Sequence, residues 1–259
     1  MTLRNTKFVM FGSTTHKAVW AAFLAVALST LAVSAKAGDL VTNGGFESNG
    51  GNGQLGFNTS VADWSIPAPS GNYAFIFAPG TADTTGANGE YGNVSLWGPG
   101  NGVANGLPAT SPNGGYFLGM DSAFQVGALS QTIGGLTPGD SYTVGFWWAA
   151  GQQEDFFSRS STQWQVSLGS QTQNTAFANI PSQGFSGWMY QTFNFTATNS
   201  SEVLSFLANG SPQVPPFALL DGVSLTPTVP EPGSFTLMLT AVGVLGVVGV
   251  LQSKNWFRG

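Results

Sequence analysis

Large apolar residues alternate with small or polar ones along most of the chain, and the pattern is clearest from Gly115 to Leu225. In Ser141 to Ala150, Tyr142, Val144, Phe146 and Trp148 occupy one set of alternate positions, with Thr143, Gly145, Trp147 and Ala149 between them. A period of two over ten residues predicts a strand with one large face. The same reading predicts strands at Tyr116 to Asp121, Ala128 to Ile133, Thr162 to Leu168, Trp188 to Ala197, Glu202 to Ala208 and Phe217 to Leu225. Gly134 to Asp140, rich in Gly, Thr and Pro, reads as a turn. Upstream the signal is weaker. Leu40 to Glu47 reads as a short opening strand and Val61 to Ile66 as another, while 78 to 114 reads as a loop with one strand at Val94 to Trp97. No segment in this region sustains a helical period and none repeats at a fixed interval, so the expectation is an all-β sandwich.

The two ends depart from this pattern. Arg4, Lys7 and Lys17 precede an apolar stretch, Ala18 to Leu31, and Ala35-Lys36-Ala37 follows it. That order describes a secretory signal peptide over 1–37, cleaved before Gly38, and a start at Met10 would leave it intact. At the other end, Val229-Pro230-Glu231-Pro232-Gly233-Ser234 is stiff and turn-prone. Phe235 to Leu251 then runs uncharged, with Lys254 and Arg258 behind it. As a helix this run reaches about 26 Å, short of the ~30 Å of a hydrocarbon core, so it spans only marginally. The basic pair marks a cytoplasmic side, and Trp256 and Phe257 suit the interface.

These C-terminal residues resemble the PEP-CTERM sorting signal, which a membrane transpeptidase called exosortase recognises in exopolysaccharide-producing Gram-negative bacteria. Pro230, Glu231 and Pro232 match the motif in place; the tail carries one lysine and one arginine where the family often has an arginine cluster. The resemblance implies a transient inner-membrane anchor at 229–259, cleavage near the motif, and a mature protein at the cell surface or in the extracellular matrix.

Composition narrows what the remaining domain, 38–228, can do. It keeps eleven acids and a single cation, Arg159, for a formal charge of −10. Binding a phosphate backbone needs several cations, so nucleic acid is a poor partner. The chain has no cysteine, and its one histidine, His16, falls in the leader. The domain therefore lacks disulfides, Ser-His-Asp and Cys-His catalysis and the usual zinc ligands. Two-carboxylate glycoside hydrolysis remains open, with the adjacent Glu154 and Asp155 as its nearest candidates.

A second resemblance spans most of the domain. Asn43-Gly44-Gly45-Phe46-Glu47, a tryptophan soon after, Leu129-Ser130-Gln131-Thr132 before Gly135-Leu136-Thr137-Pro138-Gly139, and Leu220-Asp221-Gly222-Val223 together resemble the galactose-binding-like jelly rolls of carbohydrate-binding modules. The resemblance implies a jelly-roll β-sandwich with close termini and, in many relatives, a structural Ca²⁺. Glu47 and Asp221, on the first and last segments, would then share the ion. Trp97, Trp147, Trp148, Trp164 and Trp188 are candidates for a sugar-stacking platform, with Gln153 and Gln163 as hydroxyl partners. Strict alternation sends Trp147 and Trp148 to opposite faces. The leading expectation is an exported, non-catalytic protein that binds exopolysaccharide. A matrix protein without a sugar site and a carboxylate-dependent glycan-active enzyme are the alternatives.

Overall fold

The structure, a computed structural model, describes residues 38–67 and 71–228. The leader, the Pro230-Glu231-Pro232 motif, the apolar run and the basic residues Lys254 and Arg258 lie outside the described residues. Among the described residues no helix is long and apolar enough to cross a membrane.

The early strands are short: β1 (Gly53–Gln54), β2 (Ala74–Phe77), β3 (Ala87–Gly89), β4 (Gly92–Val94) and β5 (Phe117–Asp121). Mostly longer ones follow: β6 (Leu129–Gly134), β7 (Ser141–Gln152), β8 (Ser160–Leu168), β11 (Met189–Thr196), β12 (Ser201–Ser211) and β13 (Pro216–Pro227), with the short β9 (Gln171–Asn174) and β10 (Ala178–Ile180) among them. They build a six-stranded sheet in the order β1-β2-β5-β13-β7-β11 and a five-stranded sheet in the order β10-β8-β12-β6, with β9 also on β8. β3 and β4 form a separate hairpin.

A β-sandwich results because the alternating residues of both sheets bury their large sides together. Tyr142, Val144, Phe146 and Trp148 of β7 share one core with Trp164, Val166 and Leu168 of β8 and with Leu204, Phe206 and Ala208 of β12. Phe206 is the hub of this core, with its ring 5.2 Å from Phe146, 6.0 Å from Trp164 and 6.3 Å from Trp64. Each such buried ring contributes about 1.5–3 kcal/mol from removal of its surface from water.

At β2, β5 and β13 the six-stranded sheet is buried on its other face as well. Phe75 and Phe77 of β2, Phe117 of β5 and Phe217 and Leu219 of β13 join Ala82, Ala87, Val94, Leu96 and Leu107 in a second core. Most of 78–114, expected to be loop with one strand, thus acts as a cover. Its β3–β4 hairpin sits so close that a Cβ on Gly89 would lie 2.7 Å from the Phe75 ring. β2, Ala-Phe-Ile-Phe, has no alternation because both of its faces are covered.

Two expected strands are not strands. Leu40 to Glu47 folds as turns, with Asn43 at φ +50 and the fully buried Phe46 at φ +58. It still runs beside β13, since Leu40 N donates to Leu225 O at 2.9 Å, so the two ends of the domain meet. Val61 to Ile66 makes isolated bridges in place of a strand, Val61 to Asn49 and Ser65 to Ser130. The Val94 to Trp97 strand is replaced by β4, which ends at Val94. On the open edge of β11, Gln171 Nε2 donates to Thr196 O at 2.5 Å and Gln173 Nε2 to Asn194 O at 2.6 Å. These side chains occupy main-chain acceptors that would otherwise template another strand.

Candidate functional site

Four chain segments meet at one end of the six-stranded sheet: the start of β2, the end of β5, the end of β7 and the start of β13. Antiparallel pairing brings them there, with Phe217 in register with Asp121 and Pro216 with Gln152. They enclose a cavity of about 370 Å³, lined by Tyr73, Tyr91, Asp121, Ala123, Phe124, Gln153, Phe156, Gln213 and Pro215.

One wall is aromatic. The rings of Tyr73 and Phe124 are 5.3 Å apart at 82°, those of Tyr91 and Phe124 5.8 Å at 70°, and those of Tyr73 and Tyr91 6.1 Å at 46°. Edge-to-face packing of this kind satisfies the ring quadrupoles. Tyr73 is buried, whereas Tyr91 and Phe124 are 60 % and 45 % exposed and present their free surfaces outward. Tyr91 stands in the turn of the β3–β4 hairpin, which Gln54 Oε1 pins by accepting from Glu90 N at 2.7 Å. Gln125 Nε2 donates to Tyr91 Oη at 3.1 Å.

Beside the rings lie acceptors without donors. Asp121 is 1 % exposed; its Oδ1 accepts from the Ala123 and Phe124 backbone N–H groups at 2.8 and 3.1 Å, which turns the chain and places Phe124. Its Oδ2 has no partner, and neither does Gln153 Oε1 or Gln125 Oε1. A buried polar atom left unpaired costs about 1–3 kcal/mol, so these atoms call for an incoming donor. Burial pushes the Asp121 carboxyl up to about 6 despite its two backbone hydrogen bonds. Burial, and next the charge of Asp121, push the Tyr73 hydroxyl up to about 12, so it stays a neutral donor.

Of the predicted ligand residues, Gln153 alone lines this cavity. Trp164 and Trp148 lie in the inter-sheet core, and Trp164 Nε1 donates to Leu219 O at 3.1 Å. Trp188 is half-buried, edge-on to Phe117 at 5.6 Å. Trp97 is half-buried too; its Nε1 donates to Phe156 O at 2.9 Å, which holds the segment carrying Phe156 to the cavity rim. Trp147 points away from the core, as alternation requires, and meets the exposed Tyr190 at 5.1 Å on the outer face of β7 and β11. Gln163 sits on the other sheet, in register with Asn209. Tyr73, Tyr91 and the Asp121–Phe124 turn gave no local signal, since they come from three separate segments that only the fold brings together.

Glu47 and Asp221 are brought together at a separate place. A bulge between Asp221 and Ser224, with Gly222 at φ +59, turns Asp221 into a fully buried position. Its Oδ2 accepts a short hydrogen bond from the Ser111 hydroxyl, and its Oδ1 accepts from Gly222 N at 2.6 Å and Asn113 Nδ2 at 3.4 Å. Glu47 Oε1 accepts from Tyr116 N at 2.8 Å. Gly45 lies between the two acids: a Cβ there would be 3.8 Å from Asp221 Oδ1 and 3.8 Å from Glu47 Cγ. Burial, with a further push from the Glu47 charge, raises the Asp221 carboxyl to about 7. Two carboxylates with hydroxyl and amide oxygens are hard donors of the kind calcium takes. The domain's one cation, Arg159, lies elsewhere, beside Ser160, Ser161 and Pro212. Among the described residues no cluster of three or more acidic, His or Cys ligands occurs.

No protein-family model matches this sequence, and no curated protein matches it. Solved structures do. The chain is similar to a carbohydrate-binding module, TmCBM61, in complex with β-1,4-galactotriose: 14% identity over 74% of this chain and 99% of that one, with a TM-score of 0.41. It is similar to the Stig cyclase Fisc from Fischerella sp. TAU at 16% identity, over 75% and 100% of the two chains, with a TM-score of 0.46. It is also similar to the CBM22-1 xylan-binding domain of Paenibacillus barcinonensis Xyn10C at 10% identity, over 76% and 98%, with a TM-score of 0.37.

Proposed function

We propose that this chain is an exported, non-catalytic protein that binds extracellular polysaccharide in the cavity between Tyr91, Phe124 and Gln153. In this reading, residues 1–37 carry it through the inner membrane. An exosortase-type transpeptidase then processes 229–259 at Pro230-Glu231-Pro232, and the mature domain resides at the surface or in the matrix. Glu47 and Asp221 hold a structural calcium that ties the opening segment to β13.

The observation that carries the binding reading is the pairing of exposed ring surface with two donorless acceptors of the lining, Asp121 Oδ2 and Gln153 Oε1. A sugar ring offers an apolar C–H face for the aromatic wall and hydroxyl donors for the acceptors. Asp121 is the sole carboxylate of the lining, whereas glycoside hydrolysis by the usual routes uses two carboxyl groups about 5–9.5 Å apart. Binding without cleavage is the chemistry these groups support.

Co-sedimentation of the full chain with purified exopolysaccharide tests this. Phe124→Ala and Tyr91→Ala should each weaken retention about tenfold, as loss of an aromatic anchor does. Retention unchanged in both variants would move the site elsewhere, and no retention of the wild type would favour the structural matrix protein.

A further inference from the structure

Two buried side-chain atoms of the cavity lining have no hydrogen-bond partner, and both are acceptors: Asp121 Oδ2 and Gln153 Oε1. Hydroxyls are donors and acceptors alike, so neutral sugars use only half of their capacity here. A group that donates alone fits better. One of the two belongs to a carboxyl that is 1 % exposed, with no cation among the residues that line the cavity. Arg159, the single basic residue of 38–228, borders a different cleft.

The aromatic wall carries the same preference. Tyr73, Tyr91 and Phe124 form a continuous patch whose ring faces are negative, and a cation over such a face is attracted by the quadrupole, more so when desolvated. The titratable group beside Asp121 is Tyr73, whose hydroxyl is pushed up to about 12 by burial and next by the Asp121 charge, so it stays neutral. The formal charge of −10 on the domain draws cations to it and repels anionic glycans.

We infer that the polysaccharide recognised here carries free amines, with an ammonium seated between Asp121 Oδ2 and the Tyr91–Phe124 surface. This rests on the saccharide reading of the same cavity and narrows it to cationic amino sugars. An ammonium supplies the donor that Asp121 Oδ2 lacks, while its sugar ring lies against Phe124. Charge-assisted hydrogen bonds are roughly twice as strong as neutral ones, and they are the source of the discrimination.

Titration calorimetry of the full chain in a sugar-free polyoxyethylene detergent tests the inference. The probes are β-1,4-linked tetramers differing only at C2, namely tetraglucosamine, tetra-N-acetylglucosamine and cellotetraose, together with tetramethylammonium. At neutral pH the amine tetramer should bind at least about tenfold more tightly than either neutral one. Asp121→Asn should abolish that preference, its remaining side-chain oxygen still accepting from Ala123 and Phe124. In the wild type, affinity for the amine tetramer should fall as pH drops through about 6, where Asp121 takes up its proton, with cellotetraose unchanged. Equal or tighter binding of a neutral tetramer overturns the inference and leaves saccharide binding intact. Binding of tetramethylammonium with no tetramer bound overturns the saccharide reading, and silence from all four probes overturns both.

Discussion

Trp164 Nε1 donates to Leu219 O at 3.1 Å, a buried hydrogen bond that crosses from one sheet of the sandwich to the other. The indole is fully buried and also packs edge-on against Phe206. Trp164→Phe should cost about 1–3 kcal/mol from the lost donor, and Trp164→Ala about 3–5 kcal/mol from the cavity as well. Urea denaturation reads both. Polysaccharide affinity should be unchanged in the folded Trp164→Phe variant; a selective loss of binding at full stability would place this tryptophan in the site.

Asp121 and Asp221 make stability depend on pH in an uncommon direction. Burial raises both carboxyls, from 3.8 to about 6 and about 7, so each holds its proton more tightly folded than unfolded. Their stabilising contribution is complete below the unfolded value and is lost as pH rises through the folded one. Metal-free protein should therefore gain stability on acidification from neutrality to about pH 4, by about 2–4 kcal/mol for Asp121 alone. Asp121→Asn should flatten that part of the profile. Glu202 acts in the opposite sense. Desolvation raises its carboxyl, but hydrogen bonds from Thr198 and Asn199 outweigh this and lower it, so its contribution is lost only as pH falls further. Thermal melts across this range that rise steadily with pH would contradict the assignment.

Calcium should reverse the Asp221 part of this behaviour. A divalent ion between Glu47 and Asp221 favours the ionised carboxyls. Chelation at neutral pH should lower the melting temperature, excess calcium should restore it, and Glu47→Gln should remove the response. A melting temperature indifferent to both chelator and calcium would rule the site out.

Sorting is tested by intact mass and fractionation in hosts with and without an exosortase. Loss of mass at both ends and release from the inner membrane only when the enzyme is present are expected, and Glu231→Ala should reduce release. Persistence of the C-terminal segment in the membrane in both hosts would make this a permanently anchored envelope protein.

Most of the sandwich was legible because β6, β7, β8, β11 and β12 each bury one face, which writes a period of two into the sequence. β2 was missed for the opposite reason: Phe75 and Phe77 are buried under the 78–114 cover and Ala74 and Ile76 against the other sheet, so no polar residue punctuates it. Leu40 to Glu47 looked like a strand because Val41 and Phe46 are apolar, yet the left-handed Asn43 and Phe46 make it a turn. The Glu47–Asp221 pair was reachable, since the acids flank the first and last segments. The cavity was not, because Tyr73 and the Asp121–Phe124 turn meet only through the β2-β5-β13-β7 order and Tyr91 is brought in by the separate β3–β4 hairpin. Tryptophan count misled as well: Trp148 and Trp164 serve the core, and the wall is made of Tyr and Phe.

The most direct test of the central claim is ¹H–¹⁵N NMR of the full chain titrated with soluble exopolysaccharide fragments. Shift changes clustered at Tyr73, Tyr91, Ala123, Phe124 and the Gln153 side-chain amide, with Trp147 and Tyr190 silent, are the expected result. Changes confined to the Trp147–Tyr190 surface, or none at saturating ligand, would contradict the assignment of the cavity as the polysaccharide site.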